Sequence, residues 1–147
     1  MTKTAFSEAT LELITRFENA FNTRNVDALM ADMSEDVVFE HVAPAASSFG
    51  RHEGQAAVRK VWESLDSQFP DYRIEITDLF AADDRCACRY SMRWRLEEGG
   101  EGLARGVDIF TVRGDKIAEL LTYISISSKA AATRIVIRYS IASPAPV

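Results

Sequence analysis

A carboxylate stands on an otherwise apolar strand face at Asp108. In Leu103-Ala104-Arg105-Gly106-Val107-Asp108-Ile109-Phe110-Thr111-Val112-Arg113 alternate side chains share a face, so Asp108 lies with Ala104, Gly106, Phe110 and Val112. A carboxyl in that company must find a partner, keep its proton or open onto a pocket, because an unpaired buried charge is costly. Each outcome perturbs its pKa, and perturbed carboxyls in clefts are what acid/base chemistry uses. The same pattern also fits an Asp wetted at a dimer interface or an edge strand. His41 closes the run Val37-Val38-Phe39-Glu40-His41, on the face of Val37 and Phe39. With an intrinsic pKa of about 6.5 it is expected to titrate between about pH 5 and 7 and could serve as a general base. The plain structural alternative is a strand-end histidine bonded to backbone or water. His52, beside Arg51 in a loop, is expected to be exposed, and Glu40 to point away from His41.

Cys86 and Cys88 lie two apart on one strand face, with Cα atoms about 6.6 Å apart and parallel Cβ directions, which suits free buried thiols better than a disulfide. His41, His52 and the two cysteines have no metal-type spacing, so no metal site is expected. Trp62, Tyr90 and Trp94 could wall a pocket for a ring-bearing ligand, although aromatics at such spacing are also ordinary core.

The elements that must position these residues follow from periodicity. A first helix is expected over 7–23, with Leu13, Ile14, Phe17, Ala20 and Phe21 on one stripe, and a short one over 26–33 with Asn25 as N-cap. The strand 37–41 and a loop 43–50 come next. Val58, Val61, Trp62, Leu65 and Phe69 then mark a third helix that Pro70 ends. After Pro70 the period changes to two. Cys86, Cys88, Tyr90, Met92, Trp94 and Leu96 alternate with a polar face that includes Arg89, Arg93 and Arg95, expected to meet solvent or a partner subunit. Turns at Gly99-Gly100 and Gly114-Asp115 indicate hairpins, hence an antiparallel sheet in an α+β domain with helices on one face. The main domain is expected to span 1–128. Residues 129–147 read as a C-terminal extension, with Ile135, Ile137, Tyr139 and Ile141 as one extra strand and a loose end at Pro144 and Pro146.

The 147 residues suit one domain with one core, and a net charge of −5 argues against nucleic acid or an anionic membrane surface as partner. The first residues carry no apolar signal-peptide segment and no 18-residue apolar run occurs, so a cytoplasmic location is expected.

Four segments in order resemble the SnoaL-like, ketosteroid isomerase-like and nuclear transport factor 2-like (NTF2-like) superfamily: Phe17-Glu18-Asn19-Ala20-Phe21-Asn22 with Asp27, Ser34 to His41, Gly50 to Gly54, and Gly106 to Phe110 leading to Gly114-Asp115-Lys116-Ile117. The resemblance covers about residues 11–127. It implies a cone-shaped curved antiparallel sheet with N-terminal helices on its concave face, and a homodimer formed through the outer face. Asp108 then matches the pocket acid that in ketosteroid isomerases donates a hydrogen bond to a substrate oxygen and in SnoaL-like cyclases acts as base. His41 falls at the isomerases' catalytic Asp and Phe17 at their oxyanion-hole Tyr, two departures that argue against steroid isomerisation itself. The expected pocket is lined by Phe17, His41, Trp62, Tyr90, Trp94, Asp108 and Phe110. The implied activity is cofactor-free isomerase- or cyclase-type proton transfer on a small apolar carbonyl or polycyclic compound by Asp108 and His41. The alternative is a non-catalytic small-molecule-binding or dimerisation module on the same fold, with Asp108 as a hydrogen-bond anchor. Epoxide or ester hydrolysis would need a carboxylate and a cation holding water, and the Tyr90 strand has no Arg-x-Asp spacing to provide it.

Overall fold

The computed structural model describes residues 2–42 and 50–126. Helix α1 (Lys3–Asn22) begins a turn earlier than its apolar stripe, because the Thr2 hydroxyl accepts from Ala5 N–H and caps the first turn. Asn25 caps α2 (Val26–Ala31) in the expected way, through Ala28 N–H. Strands β1 (Met33–Val42) and β2 (Gly50–Glu53) pair antiparallel, and α3 (Gln55–Gln68) follows. β3 (Arg73–Ala82), β4 (Arg85–Arg95), β5 (Glu101–Arg113) and β6 (Lys116–Ile126) then form a meander.

All six strands belong to one sheet in the order β2-β1-β6-β5-β4-β3. The hairpins are antiparallel as expected, and β1 closes onto β6 in the parallel sense, which the local turn signals could not indicate. β2 also departs from the sequence reading, which left His52 in a loop. Four residues are too few for a periodic signal, and only pairing with β1 defines the strand. The extension at 129–147, with its expected extra strand, lies outside the described residues.

The helices cover the concave face of the sheet. Leu13, Ile14, Phe17 and Phe21 of α1 and Val58 and Trp62 of α3 join Phe39, Cys88, Tyr90, Phe110 and Leu120 of the strands in one core. The strict alternation of β4 and β5 puts Arg89, Arg93 and Arg95 on the exposed convex face. Arg16 of α1 chelates Asp32 ahead of β1 through Nε and Nη2, at 3.2 and 2.8 Å, which fixes the helix against the sheet. Among the described residues no helix is long and apolar enough to cross a membrane.

Two bulky rings of β4 are seated on glycines of β5: Tyr90 lies opposite Gly106 and Trp94 opposite Gly102. A Cβ at Gly102 would fall 2.1 Å from Trp94 Cε2, so a side chain there must displace the indole. Gly102→Ala is expected to cost about 1–3 kcal/mol by overpacking. Urea unfolding measures this directly, and an unchanged midpoint would show that the indole is not seated there.

Candidate functional site

Sheet register brings the two chemical candidates onto one line. Cα partners run from Gly50 to His41, from His41 to Thr122, from Thr122 to Asp108 and from Asp108 to Cys88, crossing β2, β1, β6, β5 and β4. Directly paired residues share a face, so His41 and Asp108 both look into the concave interior. They are buried, at 5% and 6% exposure. Two strand spacings separate them, about 9.5 Å between Cα atoms. The imidazole also leans away from Asp108: His41 Nε2 is 1.9 Å from where a Cβ at Gly50 would stand, so the ring covers β2.

His41 stacks at 5.7 Å on His52, and both rings face Phe39. His52 is therefore half-buried rather than exposed, because β2 carries it into the stack. Burial, assisted by the nearby His52, pushes His41 down to about 4, below the range expected from its intrinsic value. At neutral pH it is an uncharged ring. Glu40 lies on the opposite face, ion-paired at 2.7 Å with Arg51.

The partner of Asp108 comes from α1. Glu18, 2% exposed, lies on the buried side of that helix, with its carboxyl near enough to that of Asp108 for each to act on the other. Thr122 Oγ1 donates to Asp108 Oδ1 at 2.7 Å, while Glu18 Oε1 has no hydrogen-bond partner. No Lys or Arg appears in the described ion pairs of either carboxyl, and two adjacent carboxylates cannot both remain charged in such a place. Desolvation raises Asp108 to about 7 against the opposing hydrogen bonds from Thr122 and Glu18. Desolvation and then the Asp108 charge raise Glu18 well above the carboxylate range. Cys86 and Cys88 are free and buried, and both thiols are pushed up by desolvation and then by Glu18, so neither is a nucleophile at neutral pH.

The sequence reading missed Glu18 and Thr122, although each carries the signal that singled out Asp108. Glu18 interrupts the helical set Ile14, Phe17 and Phe21, and Thr122 interrupts the alternating set Leu120 and Ile124.

The other expected lining residues are all buried but not all together. Phe17 meets Phe110 edge-on at 5.8 Å and Phe21 at 5.2 Å, and Phe21 continues to Trp62, which packs on Phe39 at 4.7 Å. This aromatic layer borders the Asp108 line. Tyr90 is one inward position along β4, whereas Trp94 stands about 20 Å along the strand from Cys88, against Phe69. Trp94 borders a surface hollow of about 610 Å³ with Arg73 and Arg93, whereas hollows of about 600 Å³, near Met30, Gln55 and Arg113, and about 450 Å³, near Phe6, Leu13 and Val112, have none of these residues in their walls. Tyr72 Oη donates to Phe21 O at 2.9 Å, and Tyr123 is exposed on the convex face. Trp62 Nε1 is a buried donor without a hydrogen-bond partner. Among the described residues no three His, Cys, Asp or Glu side chains gather as a metal site.

Comparison with known proteins agrees with this architecture. A family described as the SnoaL-like domain matches residues 14–120. The chain belongs to this family. An NTF2-like protein of unknown function from Mesorhizobium loti is 30% identical, with a TM-score of 0.66 over 80% of this chain and 92% of that one. A protein with a ketosteroid isomerase-like fold from Catenulispora acidiphila, in complex with trimethylamine, is 19% identical, with a TM-score of 0.69 over 80% and 88%. An M. tuberculosis epoxide hydrolase of the LEH-like type is 14% identical, with a TM-score of 0.67 over 92% and 95%. No curated protein matches the chain. The last two structures share the fold, whose chemistry differs from member to member.

The shifted groups of this SnoaL-like domain set its pH dependence. A carboxyl raised on folding contributes stability fully present below its unfolded value, about 4, and lost as pH rises through the folded value, about 7 for Asp108. His41, depressed on folding, contributes stability present above about 6.5 and lost as pH falls through about 4. The two oppose each other in mild acid, and the carboxyl pair dominates from about pH 6.5 to 8, above which the raised Cys86 and Cys88 thiols add their own loss. Melting temperature is expected to fall between about pH 6.5 and 8.5, and Glu18→Gln/Asp108→Asn is expected to flatten that fall. An equal slope in the double variant would refute the assignment.

Proposed function

We propose that this SnoaL-like domain is a cofactor-independent enzyme of isomerase or cyclase type, with Asp108 moving a proton on a small apolar carbonyl or polycyclic compound. The observation that carries the reading is the buried Glu18–Asp108 pair, in which Asp108 is held at about 7, where it can both take and return a proton at neutral pH. In the forward step the Asp108 carboxylate removes a proton from the carbon next to the carbonyl. The C–H electron pair moves into the enolate, and its charge settles on the carbonyl oxygen. Asp108 then returns the proton to another atom of the substrate, so nothing is consumed. Trp62 Nε1 is a buried donor suited to such an oxygen in place of the tyrosine that Phe17 replaces.

His41 enters as a neutral ring that shapes the β1 side of the interior, since a group with a pKa of about 4 is a weaker base than Asp108. A neutral substrate suits a site whose buried carboxyls have no cation partner among the described residues. Epoxide hydrolysis, the reaction named for one structural neighbour, is disfavoured because among the described residues no arginine pairs with either carboxyl to hold a water against it. The second reading is a non-catalytic binding module, favoured by the near-complete burial of Asp108 and His41.

The homodimer belongs to the same proposal. Tyr123 is 52% exposed and borders an apolar groove of about 380 Å³ with Val42, Val107 and Ile124, rimmed by Arg89 and Arg105. A second copy of the chain would cover it. Tyr123→Asp is expected to shift sedimentation from dimer to monomer, and a wild-type monomer at tens of micromolar would refute the dimer.

Asp108→Asn is nearly isosteric and is expected to lower turnover by about two orders of magnitude or more, with a smaller effect on ligand affinity. The protein would first be screened against polyketide, terpenoid and steroid carbonyl compounds by melting temperature and product formation. The binding module predicts no turnover in either protein and a loss of affinity alone. Unchanged turnover in Asp108→Asn would remove Asp108 from the chemistry.

A further inference from the structure

We infer that Glu18 holds the one proton of the Glu18–Asp108 pair at mildly alkaline pH, so that the charge rests on Asp108 and Glu18 is the positioning residue that keeps it there. The inference deepens the proton-transfer reading and rests on it for its functional meaning, but the location of the proton is a separate physical fact.

The geometry supplies the asymmetry. Asp108 Oδ1 receives the Thr122 hydroxyl at 2.7 Å, and its carboxyl also meets that of Glu18. A carboxylate at Asp108 is therefore stabilised by two donors once Glu18 carries the hydrogen between them. A carboxylate at Glu18 would have the Asp108 hydrogen as its one donor among the described hydrogen bonds, with no counterpart of the Thr122 hydroxyl. Hydrogen bonds to the charged form decide which member of a buried carboxyl pair ionises first. The surroundings do not reverse this preference. Cys86 and Cys88 face the pair from β4 with raised, protonated thiols, Asp78 of β3 acts on Cys88, and His41 of β1 is neutral and turned towards Gly50. α1 contributes Phe17 and Phe21 beside Glu18, both apolar.

Glu18 keeps its proton through the catalytic cycle. Asp108 gains one from the substrate carbon and gives one back, while the hydrogen bond from Glu18 holds the Asp108 carboxylate ready and prevents an early neutralisation. On this account Asp108 acts as a base, rather than as the standing hydrogen-bond donor of the isomerases that it resembles.

Carbon-13 NMR of wild-type protein labelled at the aspartate Cγ in one sample and the glutamate Cδ in another locates the proton without any substrate. Asp108→Asn and Glu18→Gln serve to assign the two resonances, and either one suffices if the other fails to fold. Between about pH 5 and pH 9 the Asp108 carbon is expected to move from its protonated to its ionised position, while the Glu18 carbon stays protonated. Glu18 ionising first, both carbons moving together, or both already ionised at about pH 5 would each overturn the inference. These outcomes are independent of turnover, so failure here leaves the test of Asp108→Asn intact, and failure of that test leaves the proton assignment standing.

Discussion

One carboxyl from α1 and one from β5 meet in the core, and among the described residues no cation pairs with either. A doubly ionised pair would be untenable at this depth, so the native state carries at least one carboxyl proton there. The aromatic layer of Phe17, Phe21, Phe110, Trp62 and Phe39 excludes water from the same region. That exclusion raises Asp108 towards neutrality and makes the Thr122 hydroxyl, a modest donor in water, an important one. A pair of this kind is a poor device for stability, which sets it apart from the apolar core around it.

The remaining candidate, His41, is held by a different constraint. Its ring fits only because position 50 is glycine, and β2 is where that glycine pairs. The same strand brings His52 to stack on His41 and adds to the depression of its pKa. His41, which looks like a general base in isolation, therefore becomes a neutral packing group at physiological pH, and burial lowers His52 as well. The two raised carboxyls stand on β5 and α1, away from the strand end where family resemblance places the catalytic base.

The convex face has a separate character. Its strands present Arg89 and Arg105 beside exposed Tyr123 and Val42, with Arg93 and Arg95 further along β4, so the buried carboxyls are on one side of the sheet and the basic face on the other. The period-two alternation of β4 and β5 separates the two.

Much of this was legible in the chain itself. Alternation after Pro70 determined the strands and their inward faces, the helical stripes determined α1 and α3, and a carboxylate among Ala104, Gly106, Phe110 and Val112 marked Asp108 before any contact was known. Local patterns of this kind depend only on residues a few positions apart. The tertiary structure alone decided which residues meet. The parallel closure of β1 on β6 set His41, Thr122 and Asp108 in register, across more than 60 residues of chain. The packing of α1 over β4 carried Glu18, whose place among Ile14, Phe17 and Phe21 is as anomalous as that of Asp108 on its strand, onto that acid. Burial then moved His41 and Asp108 in opposite directions, because desolvation always disfavours the charged form, and that form is the acid of one and the base of the other.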